Sequence, residues 1–207
     1  GLLDYYHQTG EYRAYESAVN IGNNVLRHLE DPKFKKAGAT QARDTGWALR
    51  TLVALYRETH DEKWLKPADW IVGKFEEWKE KYGAWLGPYT DGTQVRVPFM
   101  ISIAAGNLMR YYRLKKEKKV GEMIVKEIDD MIEHCQMPGG RFCYKNLPSL
   151  RQGHSSPTLL EALLMLMKSQ ETKNFWKPAA LFLQKFYILL LFRHFKEQVP
   201  NISQVML

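Results

Sequence analysis

Apolar residues recur along this chain at helical spacing, and the runs come in pairs. One member of each pair carries a single apolar stripe. The stripes are Tyr15, Ala18, Gly22, Val25 and Leu29; then Trp64, Ala68, Ile71, Phe75 and Trp78; then Val120, Ile124, Ile128, Met131 and Cys135; then Phe175, Ala179, Phe182, Phe186 and Leu189. Steps of three and four residues put these positions on one face of a helix and leave charge on the other, the pattern of a helix with one side in water. The partner runs, Trp47 to Tyr56, Phe99 to Tyr112 and Leu159 to Met167, are apolar on most sides. Helices of that kind are enclosed by protein. The pattern therefore predicts inner helices wrapped by an outer layer, each inner helix paired with an outer one.

The members of a pair are separated by short polar turns, at Gln8 to Glu11, Glu58 to Asp61, Leu114 to Glu117 and Gln170 to Lys173. They recur at a period of roughly 50 to 56 residues, which points to stacked helical hairpins. Gly10 suits the left-handed conformation that ends a helix. His60, Lys116 and Glu171 occupy the matching positions, so those turns either carry a cost of about 1 kcal/mol each or adopt another geometry. Asp61 is a suitable N-cap for the outer helix after it. The return connections are much longer, about Glu30 to Arg43, Glu80 to Arg96 and Gln136 to Ser156. Structureless loops of that length are uncommon unless they serve a function. Hairpins lying side by side bring all the long connections to one end, together with the N-termini of the inner helices, which favour negative charge. A site belongs at that end.

Composition changes this picture little. With 207 residues and 45% hydrophobic positions the chain can bury a sizeable core, and no composition shift divides it, so a single domain over 1–207 is expected. The net charge of +7 favours anionic partners weakly. Most lysines fall on the outer helices, as in RLKKEKK, which reads as a solvated face; no nucleic-acid motif is present. Cys135 and Cys143 are either a disulfide pair or two free thiols. His134 beside Cys135 does not reach the ligand count of a zinc site, so no metal and no cofactor are expected. The apolar run Phe186 to Phe195 is too short to span a bilayer, and no membrane partner is expected. The opening GLLDYYHQTG begins inside a helix-like pattern about half as long as its equivalents, Thr45 to Thr59 and Val97 to Leu114. We therefore expect a piece of a longer protein, cut within a hairpin at its N-terminal side.

The long connections carry the candidate chemistry. In Gln41 to Trp47, either Asp44 or Thr45 caps the inner helix, or Arg43, Asp44 and Trp47 point into a central cavity. In Tyr82 to Arg96, Trp85 and Tyr89 suit stacking on the apolar face of a sugar ring, with Asp91 and Arg96 supplying hydrogen bonds; alternatively the loop folds back and its aromatics cover the helix ends. In the third connection Arg151 and His154 precede the helix start at Ser156 and Pro157, where His154 is placed as an acid or base. Asp44 and Asp91 are the carboxylates nominated as acid and base for glycoside cleavage, with His154 as the third catalytic candidate. Arg43, Trp47, Trp85, Tyr89, Arg96 and Arg151 are the substrate-binding candidates.

The segments RDTGWALRTLVALYRETHDEKWLKPADWIV and GLLDYYHQTGEYRAYESAVNIGNNVL resemble hairpins of the six-hairpin (α/α) toroid glycosidase superfamily. Bacterial members often carry an aromatic-x-x-Thr-Gly-Asp turn between inner and outer helices, and Tyr6-His7-Gln8-Thr9-Gly10-Glu11 nearly matches it. The resemblance covers roughly residues 1 to 190 and implies an all-α fold, a partial toroid of about four hairpins in two layers. It implies a glycoside hydrolase or polysaccharide lyase working at the inner-helix N-terminal face, on an oligo- or polysaccharide. Arg43, Arg96, Arg141 and Arg151 on the loop face suit a uronate-containing glycan. The competing expectation is a non-catalytic helical array that binds a partner or associates with itself along the open side of an incomplete ring.

Overall fold

The computed structural model of this chain describes residues 1–89, 91–137 and 141–147. The fourth expected hairpin, the run Phe186 to Phe195, and the candidates Arg151 and His154 lie outside the described residues.

Within them the chain is helical. Hairpin one is α1 (Leu2–Thr9) and α2 (Tyr12–Leu29); a short α3 (Pro32–Lys35) follows. Hairpin two is α4 (Ala42–Thr59) and α5 (Glu62–Tyr82). A two-stranded antiparallel ribbon, β1 (Gly87–Pro88) and β2 (Gln94–Val95), precedes hairpin three, α6 (Pro98–Lys115) and α7 (Lys118–Cys135). The fold is all-α, with hairpins packed in layers.

The layers follow the two kinds of apolar pattern. α4 and α6 lie against each other as the inner pair, and each also packs on its own outer partner, α5 or α7; α2 packs on α4. The stripe of α5 faces inward, with Trp64, Ala68, Ile71, Phe75 and Trp78 at most 1% exposed, and that of α7 buries Val120, Ile124, Ile128 and Met131. Burying a large side chain of this kind contributes about 1.5–3 kcal/mol, so one continuous core holds the layers together.

The contact between α4 and α6 depends on Gly46. A Cβ there would lie 2.9 Å from the Cα and 3.3 Å from the backbone nitrogen of Ala104. Backbone cannot rotate aside as a side-chain tip can, so any larger residue must push the inner helices apart. We expect Gly46→Val to lose about 2 kcal/mol of stability, measurable by urea unfolding. Unchanged stability would mean that the two helices are not in contact here.

The short turns share one geometry. Gly10, His60 and Lys116 all adopt the left-handed conformation, with φ of 71°, 54° and 57°. Each donates its N–H to the carbonyl of a tyrosine four residues back, Tyr6, Tyr56 or Tyr112, at 2.7–2.8 Å. In the first two turns a threonine adds a staple: Thr9 donates to the Tyr5 carbonyl and accepts from the Glu11 N–H, and Thr59 does the same with Leu55 and Asp61. Asp61 then caps α5 by accepting from the Lys63 N–H at 2.9 Å. His60 and Lys116 therefore carry the left-handed cost outright. His60→Gly and Lys116→Gly should each raise unfolding free energy by up to about 1 kcal/mol; a loss would mean that those side chains hold the turns.

One local expectation is corrected. α4 begins at Ala42 and its N-cap is Gln41, which makes no side-chain cap bond. Neither Asp44 nor Thr45 is the cap; Asp44 sits in the first turn of the helix, and Thr45 is buried with its hydroxyl 3.0 Å from that of Thr40.

Candidate functional site

The first two long connections and the described part of the third, 136–137 and 141–147, meet at one end of the array, where α4 and α6 begin. Gln41, at the start of α4, donates its side-chain amide to the Pro88 carbonyl at 2.9 Å, tying the first connection to the second. Arg96 and Asn146 tie the second to the third: the Arg96 N–H donates to Asn146 Oδ1 at 2.9 Å, and the Asn146 N–H donates to the Arg96 carbonyl at 3.1 Å. Aromatic contacts bridge the same gaps. The Arg43 guanidinium lies 6.0 Å from the centre of the Phe99 ring, Phe99 lies 5.8 Å from Tyr144, and the Lys145 ammonium sits 3.8 Å above Tyr89.

α7 is the anchor for this rim. Glu127 is fully buried, yet it follows Ile124 by three residues on the apolar stripe. One of its oxygens accepts from the Trp85 N–H at 2.8 Å, and the other accepts from Lys79 Nζ at 2.8 Å. Lys79 also donates to the carbonyl of Gly83, the residue that ends α5. Burial outweighs the attraction of Lys79 and pushes the Glu127 carboxyl above the ordinary carboxylate range. One turn on, Asp130 accepts two bonds from the Arg96 guanidinium, at 2.7 and 3.0 Å. Two carboxylates of one outer helix thus pin both ends of the second connection.

These contacts sort the substrate-binding candidates. Trp85 is 1% exposed; its indole N–H donates to the Phe75 carbonyl at 3.1 Å and its ring lies 4.9 Å from Phe75. It closes the end of the core, so the sugar-stacking reading of Trp85 is replaced by the folded-back one. Arg96 is held in the wall by Asp130, which makes it a strut. Trp47 and Tyr89 remain open, at 43% and 45% exposure. The Arg50 guanidinium lies 5.1 Å from the centre of the Trp47 ring. Arg43 Nε donates to Asp44 Oδ1 at 3.1 Å, and both are half-exposed on the first turn of α4. A step of three and four residues carries Arg43, Asp44, Trp47 and Arg50 along one open stripe of that helix.

Asp91 stands at the tip of the ribbon. Its carboxylate accepts from the Thr93 N–H at 2.9 Å, while the Tyr89 N–H donates to the Thr93 carbonyl. The bonds from Thr93 hold its carboxyl below the usual range, and Lys145 acts in the same direction. A carboxyl lowered in this way is ionised at neutral pH, the form that a base or nucleophile needs. Phe99, Tyr144, Lys145 and Arg50 are additions that the sequence pattern does not single out. Phe99 is indistinguishable from its apolar run until the start of α6 is located.

No protein-family model matches this chain. No curated protein matches it by sequence. Solved structures do share its fold. An inactive variant of the α-1,6-mannanase GH76A of Salegentibacter sp. HEL1_6, with two aspartates replaced, in complex with α-1,6-mannotriose, aligns over 86% of this chain and 55% of its own at 16% identity and a TM-score of 0.59. A second inactive variant of that mannanase, in complex with α-1,6-mannotetrose, aligns over the same shares at 14% identity and a TM-score of 0.58. The GH76 α-mannanase of Bacteroides thetaiotaomicron aligns over 70% of this chain and 43% of its own, at 9% identity and a TM-score of 0.52. The chain thus has the helical-hairpin fold of the (α/α) toroid glycoside hydrolases and spans about half the length of these neighbours.

Proposed function

We propose that this chain is part of a glycoside hydrolase of the (α/α) toroid type, with an oligosaccharide held in the mouth where the long connections meet. The observation that carries this is that the first two connections and the described part of the third are tied together where α4 begins, with Trp47 and Tyr89 exposed and Arg43 paired with Asp44 on the first turn of that helix. An exposed ring offers a flat apolar face to a sugar, and neighbouring charged groups offer directed hydrogen bonds to its hydroxyls. The shared fold with mannanases in complex with mannooligosaccharides supports the same reading.

In this proposal Asp44 and Asp91 are the acid and base pair: Asp91, already ionised, is the base or nucleophile, and Asp44 acts as the proton donor once bound substrate takes Arg43 away from it. His154 and Arg151 complete the proposed set from outside the described residues. The Salegentibacter mannanase variants that share this fold are inactive with two adjacent aspartates replaced. The Asp-Asp pair of this sequence, Asp129 and Asp130, lies on the outer helix α7, and Asp130 is committed to Arg96. The cations Arg43, Arg50 and Lys145 near the mouth favour a glycan that carries carboxylates over neutral mannan.

A second reading has its own support. The Asp91 carboxylate is already used in its turn and that of Asp44 in its pair with Arg43, so the mouth can bind a glycan without cleaving it. Binding and turnover of the parent protein on a panel of α-mannan and uronate oligosaccharides separates the two. On the hydrolase reading Trp47→Ala weakens binding by roughly 30-fold, about 2 kcal/mol, and Asp91→Ala abolishes turnover with binding kept. Binding that persists with no turnover by the unsubstituted protein selects the binding module; an unaffected Trp47→Ala variant removes the mouth from either reading.

A further inference from the structure

We propose that Cys135 and Cys143 form a disulfide on oxidation, which fastens the third connection to the end of α7. Cys135 is the last residue of α7 and is buried; Cys143 is half-buried on the returning segment; both are free thiols in this structure. The backbone already sets them opposite each other. Gln136 and Phe142 form an antiparallel bridge, so the next pair outward is Cys135 and Cys143, and the Cys143 N–H donates to the Cys135 carbonyl at 2.9 Å. On the other side of the bridge the Met137 N–H donates to the Arg141 carbonyl at 2.7 Å, which fixes the register. Opposed residues of an antiparallel pair have Cα atoms about 4.5–5.5 Å apart, inside the range of about 4.4–6.8 Å that a disulfide spans. Opposed residues project to the same face, and the Cys143 thiol lies close enough to push the Cys135 thiol further up.

The bond would matter because the residues directly after Cys143 build the rim. Tyr144, Lys145 and Asn146 supply the third connection's contacts with Phe99, Tyr89 and Arg96. In the reduced chain, backbone and side-chain hydrogen bonds hold that segment; in the oxidised chain a covalent bond adjacent to it does. Burial also pushes the Cys135 thiol above the ordinary thiol range, so the more exposed Cys143 is the first to react. With a small-molecule disulfide such as oxidised glutathione, the Cys143 thiolate attacks one sulfur and releases one glutathione thiolate. Cys135, giving up its proton to solvent, then attacks the Cys143 sulfur and releases the second. Two electrons pass from the cysteine pair to the glutathione disulfide, and the thiol protons end on the two glutathione molecules.

The test is to equilibrate the chain with oxidised glutathione, quench with acid, alkylate and map by mass spectrometry. We expect a Cys135–Cys143 cross-link, a protein lighter by two hydrogens, joint loss of both free thiols, and full reversal by dithiothreitol. Accumulation of glutathione on Cys143 with Cys135 still free would overturn the proposal, as would two thiols that both stay reduced while an unfolded control oxidises. Cys143→Ser provides the second arm: its Cys135 should remain unmodified in the folded protein, and modification of Cys135 at the unsubstituted rate would show that the pair does not act together.

Discussion

Glu127→Ala lowers the unfolding free energy by about 3 kcal/mol, the largest stability effect expected of any single side chain around the mouth. The change leaves the Trp85 N–H without an acceptor inside the core and removes the partner of Lys79. Lys79 is near enough to solvent to swing its ammonium outward, so the loss falls at the lower end of what breaking a buried pair costs. Glu127→Gln separates the contributions. The amide oxygen still accepts from Trp85, while the attraction for Lys79 is gone, so a smaller loss is expected. The pH dependence has a definite sign. The folded-state carboxyl titrates above its unfolded value, so between those two values the folded chain holds more protons than the unfolded one. This site alone therefore makes stability fall as pH rises through that window, and Glu127→Gln should flatten the slope. Urea unfolding from about pH 4 to pH 7 measures both effects. A Glu127→Ala variant as stable as the parent would remove Glu127 as the anchor of the second connection.

Asp44→Asn is expected to cut turnover by about 10²- to 10⁴-fold if Asp44 is the proton donor. The substitution keeps the shape of the side chain and its contact with Arg43, and Asp44 lies half-exposed on the first turn of α4, so folding should be retained. The amide has no proton to give to a leaving oxygen, so the loss should fall on kcat with KM little changed. A substrate whose leaving group needs no protonation should recover most of the rate in this variant. A parallel loss on both substrates would assign Asp44 to binding, and unchanged turnover on either would remove it from the reaction.

The architecture is written plainly in the chain because each layer imposes its own periodicity. One-sided stripes such as Trp64 to Trp78 can only face a core, and runs apolar on most sides, such as Phe99 to Tyr112, can only lie inside it. The polar turns mark the pairing, and the unequal connections mark the end at which the mouth lies. Individual side chains are harder to place, because aromatic and charged residues look alike in sequence whether they support a loop or line a cavity. Trp85 and Tyr89 sit four residues apart in one connection, yet the first is swallowed by the core and the second is open. That difference is made by Phe75 and Trp78 on α5 and by Glu127, 42 residues beyond Trp85 in α7. Arg96 passes for a binding group because its partner Asp130 lies on another helix. Glu127 does leave a signal: a carboxylate within the apolar stripe of Val120 to Cys135 has no reason to be there unless a buried donor meets it. Asp44 falls within the first turn of α4 because Gln41, a residue with little capping tendency, ends the connection early through its bond to Pro88.

The most direct test of the mouth is hydroxyl-radical footprinting of the parent protein with and without oligosaccharides from the same mannan and uronate panel. The account predicts that at least one glycan lowers oxidation of Trp47 and Tyr89 together, while Tyr12, exposed beside the first short turn at the opposite end, is unchanged. Protection confined to Tyr12 and its neighbours, or none with any glycan, would contradict it.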